Sequence, residues 1–279
     1  MRIGLSSYSY SWEVGASGQL AQWRLPLEGL AERASSLGAD VLQVADNLPL
    51  HTIDADHLAR FGRYANDLGL RIEVGTRRVD PANLSRYVPI AAQLSSPFLR
   101  VMAETDRELS PDEAVEVLGP QRELFERSGV RLAIENHDHL TSAELAGIVT
   151  RLGTSWAGVC LDTSNSFGAL EGPEVVISTL RPFVLNVHVK DFTVQRIKHV
   201  GFTIEGRPVG KGRLDVPWLL SKLDGCGEDV TAVIELWTPP EPEFADTVAK
   251  ERAWAAESIK NLRDLMDRPA ISGKPARRP

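Results

Sequence analysis

Short runs of apolar residues recur along the chain. Between them lie longer stretches in which apolar positions return every third or fourth residue. The short runs carry few polar interruptions, as parallel strands buried on both faces do, and the longer stretches have the period of amphipathic helices. Read this way, the pattern predicts strands at residues 3–8, 41–44, 71–74, 98–102, 131–135, 157–161, 184–189 and 232–236. It predicts helices at 26–37, 54–68, 81–94, 110–128, 142–152, 216–223 and 243–266, with one more after Pro173. The punctuation agrees. Gly38, Gly69, Gly129 and Gly153 stand where helices should stop, and Ser110-Pro111-Asp112-Glu113 reads as an N-cap, a first-turn proline and first-turn acids. Residues 193–215 read as a long loop. Residues 268–279, Pro/Gly-rich and basic, read as a disordered tail.

Strand and helix alternate eight times, which leaves a doubly wound sheet or an eightfold barrel. The count favours a single α/β domain over residues 1–267, a (β/α)8 TIM barrel, and a barrel of this kind runs to about 250 residues. In a barrel the C-terminal ends of all strands meet at one mouth, where chemistry is done.

Four of those ends carry a side chain of metal-ligand type. RLAIENHD runs into Glu135, AGVCLDTSN into Asp162, FVLNVHVKD into His188 and TAVIELWT into Glu235. Three carboxylates and one imidazole suit one divalent cation, manganese first, with magnesium or cobalt as alternatives. The plainer reading is four unrelated polar residues at strand ends. Their order and shared type weigh against it.

Composition narrows the partners. The formal net charge is −7, from 31 basic and 38 acidic residues, which argues against a nucleic-acid partner held by bulk electrostatics. No apolar run approaches the length of about 18 residues that a membrane span needs. The N-terminus lacks the apolar stretch of a signal peptide, and two cysteines make no disulfide framework, so a cytoplasmic location is expected. Cys160, inside an apolar strand, is expected to be a small core residue.

The motifs IENHD, GVCLDTSNSFG, NVHVKDF, VGKGRLD and VIELW, in this order on these strands, resemble the xylose-isomerase-like TIM-barrel superfamily. Within it they resemble the sugar isomerase/epimerase branch that includes the ketose 3-epimerases, over roughly residues 3–266. The resemblance implies that Glu135, Asp162, His188 and Glu235 hold the metal, and that Glu135 and Glu235 also act as acid/base groups. The substrate would be a small sugar or sugar acid, and the reaction would pass through a metal-bound enediolate. It also implies a homo-oligomer, although nothing in the sequence marks a helix face as the interface. Lys190, two residues after His188, should face the same side of its strand and join the catalytic set. Trp12, His137, Asn165, Arg207 and Arg77 are candidate substrate contacts at the mouth, with Tyr8, Phe167 and Lys211 near them.

Two departures from the epimerases stand out. Asn165 occupies a place that is commonly His, and Gly210-Lys211-Gly212 replaces a common Gly-Glu-Gly. The basic residues Arg77, Arg78, Lys190, Arg207 and Lys211 at predicted mouth positions point toward an acidic substrate. A keto sugar acid losing CO₂ would use the same enediolate chemistry, so a decarboxylase or lyase is the rival reaction. An endonuclease IV-like repair enzyme would need more metal ligands and a basic face. A non-catalytic binding barrel would need no metal.

Overall fold

The computed structural model describes residues 1–15, 24–227 and 229–267. The tail predicted at 268–279 lies outside the described residues. Eight parallel strands close into a barrel: β1 (Arg2–Ser6), β2 (Val41–Val44), β3 (Arg71–Gly75), β4 (Phe98–Val101), β5 (Arg131–Glu135), β6 (Ala157–Asp162), β7 (Val184–Val189) and β10 (Thr231–Ile234). They neighbour one another in chain order, and β1 closes the ring against β10 with Arg2 opposite Thr231. The predicted TIM barrel is therefore the observed fold. No described helix is long and apolar enough to cross a membrane.

The strands form because their β-branched and leucine side chains are covered on both faces. Every residue of β2, β4, β6 and β10 is buried. Outward-facing residues pack under the helices in one continuous apolar cluster, whereas Phe98, Ala133 and Cys160 form a small separate cluster. Helix ends follow the capping signals: Ser110 with Glu113, and Thr141 with Glu144, each complete a reciprocal capping box.

Two predicted elements differ. The helix expected over 110–128 is two helices, Pro111–Leu118 and Arg122–Ser128, joined by a 3₁₀ turn at Gly119–Gln121. Pro120 has no N–H for an α-helical bond, and its ring crowds the preceding turn. The loop expected over 193–215 contains an antiparallel hairpin, β8 (Asp191–Ile197) and β9 (Gly201–Arg207), paired from Asp191–Arg207 out to Ile197–Gly201. Its strands are largely half-buried or exposed and rich in polar residues, so they lack the continuous apolar run by which the barrel strands are recognised. Asp191 anchors the hairpin's base: its carboxylate accepts from the N–H groups of Phe192, Gly210, Gly212 and Leu214 at 2.8–3.0 Å. A side chain at position 212 would overlap Asp191 and the Phe192 carbonyl, which explains the glycine there.

Candidate active site and metal centre

Glu135 ends β5, Asp162 ends β6, His188 lies near the end of β7 and Glu235 follows β10. All four are buried, and one ligand atom from each lies within 4.8 Å of the other three. His188 Nδ1 stands 3.5 Å from Glu135 Oε1, Asp162 Oδ2 and Glu235 Oε2 alike, and it makes no hydrogen bond to a described residue. An imidazole lone pair facing three carboxylate oxygens at one spacing fits a shared cation at their centre better than direct pairing.

Each ligand is held from behind. Asp162 Oδ1 accepts from the backbone of Ser164 (2.8 Å) and Asn165 (2.9 Å), so Oδ2 turns inward. Asn136 ties β5 to β6: its side-chain amide donates to the Asp162 carbonyl at 2.9 Å and accepts from the Asp162 N–H at 2.7 Å. Ser6, the last residue of β1, donates to Glu235 Oε2 at 2.8 Å. Glu135 is gripped on both oxygens, by Arg100 Nε at Oε2 and by the Asn165 amide at Oε1 (2.7 Å). Burial alone would push the Glu135 carboxyl up. Arg100 and His188 reverse this and hold it well below the usual carboxylate range.

Lys190 faces the site, as alternation along the strand required. Its ammonium lies 2.7 Å from Glu235 Oε1, 3.0 Å from Asp162 Oδ2 and 3.1 Å from Asn165 Oδ1, and 5.0 Å over the Trp237 ring. Burial would lower its pKa. The carboxylates of Asp162, Glu235 and Glu135 more than offset that and keep it charged, above the usual lysine range. Without an ion, burial would likewise discharge His188, but Cys160, Glu235 and Glu135 raise its pKa well above the usual value; a cation held at Nδ1 would take the place of that ring proton.

The mouth is a cavity of about 290 Å³ whose walls include Glu135, Glu235, Lys190, Asn165, His137 and Arg77. The structure thus brings these six sequence-predicted residues, and Tyr8 with them, to one cavity, with Asp162 and His188 beneath. Two candidates stand elsewhere. Trp12 gives its indole N–H to the Thr238 carbonyl at 2.8 Å, and Arg207 binds the carbonyl of Gly206 and the carboxylate of Glu205 on its own hairpin. Tyr8 lines the cavity and donates to Asp46, Phe167 packs edge-on against Phe192, and Lys211 pairs with Glu257. The basic side chains that suggested an acidic substrate are each paired: Arg77 with Glu104, Arg78 with Asp80, Lys190 with Asp162 and Glu235. They do not add up to an unbalanced positive pocket.

Sequence reasoning missed Arg100 and Trp237. Arg100 lies in β4, 3% exposed, bonded to Glu135 and, at 3.2 Å, to Asp46. Its signal was present: a charged residue inside the run Phe-Leu-Arg-Val must have a buried partner. Trp237, two residues past Glu235, forms a wall of the cavity.

Comparison with known proteins gives the family of the fold. The family described as xylose isomerase-like TIM barrel matches residues 31–265. A 3-oxo-isoapionate decarboxylase of Pectobacterium atrosepticum is 30% identical over 264 residues, covering 94% of this chain and 95% of that protein. A D-psicose 3-epimerase from Clostridium cellulolyticum H10, solved with D-tagatose, superposes with a TM-score of 0.72 at 15% identity, covering 95% of this chain and 99% of the other. A xylose isomerase-like TIM barrel protein from Mycobacterium smegmatis, solved with magnesium, superposes at 0.63 with 13% identity, covering 94% and 97%. The structural matches are matches of fold. The family match covers most of the barrel, and with it this chain is an enzyme of the xylose isomerase-like TIM barrel family.

Proposed function

We propose that this protein is a divalent-metal-dependent enzyme acting on a small keto sugar acid, and that it releases CO₂ from that substrate. Glu135, Asp162, His188 and Glu235 would hold the metal, with manganese as the first choice and magnesium or cobalt as alternatives. Such an ion polarises a substrate carbonyl and so stabilises the negative charge that develops beside it. Around it, Lys190 and Arg100 supply fixed positive charge in a water-poor pocket, where it acts at little reorganisation cost. Lys190, in reach of Glu235 and of the cavity, is the group placed to deliver a proton to the carbon that loses CO₂. Trp237 and Tyr8 give the cavity its aromatic walls.

The observation that carries the decarboxylase reading is the grip on Glu135. Epimerisation by two opposed carboxylates asks one to take a proton and the other to return one. Here both oxygens of Glu135 are engaged, one by a buried guanidinium and one by Asn165. That suits a metal ligand of fixed charge better than a proton carrier. The 30%-identical relative, a decarboxylase by name, points the same way. Isomerisation or epimerisation is the second reading, favoured by the presence of both Glu135 and Glu235 in the cavity wall.

The test is metal content followed by product. Purified wild type should carry about one equivalent of divalent ion, and His188→Ala should carry much less. Keto sugar acids should then yield CO₂, and Glu235→Gln should slow turnover by roughly 10²-fold or more. An isomer formed without CO₂ would favour the second reading. Failure of the wild type to take up manganese, magnesium or cobalt would remove both.

A further inference from the structure

Below the ligand cluster the barrel interior is divided. On the β4–β6 side it is apolar, with Phe98, Ala133 and Cys160. On the other side it is polar, with Gln43 from β2, Glu73 from β3, Asn186 from β7 and Thr231 from β10, all fully buried. Barrel interiors are ordinarily filled by branched apolar side chains, and a buried polar group costs free energy unless it is bonded.

Three of these polar residues form a chain that ends on His188. Gln43 and Glu73 sit opposite each other on adjacent strands. The Glu73 carboxylate faces donors only: Arg71 Nη2 at 2.9 Å, the Thr231 hydroxyl at 2.9 Å and the Gln43 amide nitrogen at 3.3 Å. The Gln43 NH₂ must therefore point at Glu73, so its carbonyl points the other way. That carbonyl oxygen lies 2.6 Å from His188 Nε2. An oxygen acceptor at that distance requires Nε2 to carry the proton. The only other partner of Nε2 among the described residues is the Cys160 sulfur at 3.3 Å, a weak one. With Nε2 committed as donor, the neutral ring presents its lone pair at Nδ1, toward the three carboxylates.

We infer that Gln43 and Glu73 are positioning residues for the metal ligand His188: a carboxylate–amide–imidazole chain across the barrel interior fixes the ring's tautomer and aims Nδ1 at the cation site. The inference rests on the metal reading above and assigns work to two residues that touch neither cavity nor substrate. Metal-bound histidines generally give their second N–H to a carboxylate or carbonyl. Here an amide passes that role from a carboxylate one residue further away.

A purely structural role predicts something different. Gln43→Leu leaves Glu73 short of a donor and His188 Nε2 without its acceptor, so a structural role would show as lost fold stability, with the metal affinity of the folded protein unchanged. The experiment is a Mn²⁺ titration of wild type, Gln43→Leu and the swapped pair Gln43→Glu with Glu73→Gln, with far-UV circular dichroism of each metal-free protein as the control for folding. Gln43→Leu should bind Mn²⁺ about 10- to 100-fold more weakly than wild type. The swap puts a carboxylate directly on Nε2 and an amide able to donate to it. It should recover affinity to within about threefold of wild type. A folded Gln43→Leu protein that binds as tightly as wild type would overturn the inference. So would a folded swap that binds more than about tenfold more weakly, and this arm stands if Gln43→Leu does not fold. Wild type that binds no Mn²⁺ would overturn the metal reading, and this inference with it; the other two outcomes overturn the inference alone.

Discussion

Lys190 is a buried cation whose nearest anions are two ligands of the proposed metal. This makes its removal informative in two directions. In the metal-free protein, Lys190→Met leaves Asp162 and Glu235 without their ammonium partner, so thermal unfolding should show a loss of about 3–5 kcal/mol. Removing a positive charge beside the cation site should leave Mn²⁺ affinity unchanged or tighter. A variant that loses both stability and metal would show instead that Lys190 builds the site rather than serving the substrate. Lys190 was found from the alternation of side chains along a strand. Arg100 was not, because its partners, Glu135 and Asp46, lie 35 and 54 residues away in the chain.

At the scale of elements, two contacts carry predictions, the first of them at the wall of the mouth. Gly206 of β9 lies against the backbone of Trp237, and a Cβ there would overlap the Trp237 carbonyl. Gly206→Ala should cost about 1–3 kcal/mol in thermal or denaturant unfolding. By displacing Trp237 it should also raise KM more than it lowers kcat. The second contact joins the last helix, Phe244–Met266, to the short helix Ser11–Val14 after β1. Glu251 accepts from the N–H groups of Trp12 (2.9 Å) and Glu13 (3.1 Å), capping that turn from another element. Burial, helped by the charge of Glu13, pushes the Glu251 carboxyl up to about 8, against the pull of the two N–H donors. The native state then holds a proton that the unfolded chain gives up near its ordinary value of 4.5. Stability from this group is complete below about pH 4.5 and falls as pH rises toward 8, by at most about 1.4 kcal/mol for each pH step of one across that window. Unfolding free energies measured across that window should decline in wild type and decline less in Glu251→Gln. Parallel curves would show that Glu251 stays ionised in the fold.

For the whole molecule, the four metal-type ligands come from four separate strands, so an ion there staples the second half of the barrel. A cation that binds only the folded chain should stabilise it by about 2.7 kcal/mol at a hundred times its dissociation constant. For a chain of this size that is a rise in Tm of roughly 5–10 °C, read by calorimetry with and without Mn²⁺. His188→Ala should abolish most of the rise.

The order of strands and helices, the closed barrel and the four ligand-type strand ends were all legible in the sequence. They depend on local period, and a barrel collects every strand's C-terminal end at one place whatever its side chains are. Lys190 followed from the same logic, and Asn165 from the family resemblance. Tertiary structure decided the rest. Only contact between distant strands shows that Arg100 and Asn165 occupy both oxygens of Glu135, that the apparently basic mouth is charge-paired, and that Trp12 and Arg207 turn away while Trp237 turns in. The Gln43–Glu73 chain belongs to the same class. A polar residue inside an apolar strand announces that it has a partner, but the partner's identity is a matter of register across the barrel, and local sequence does not encode register.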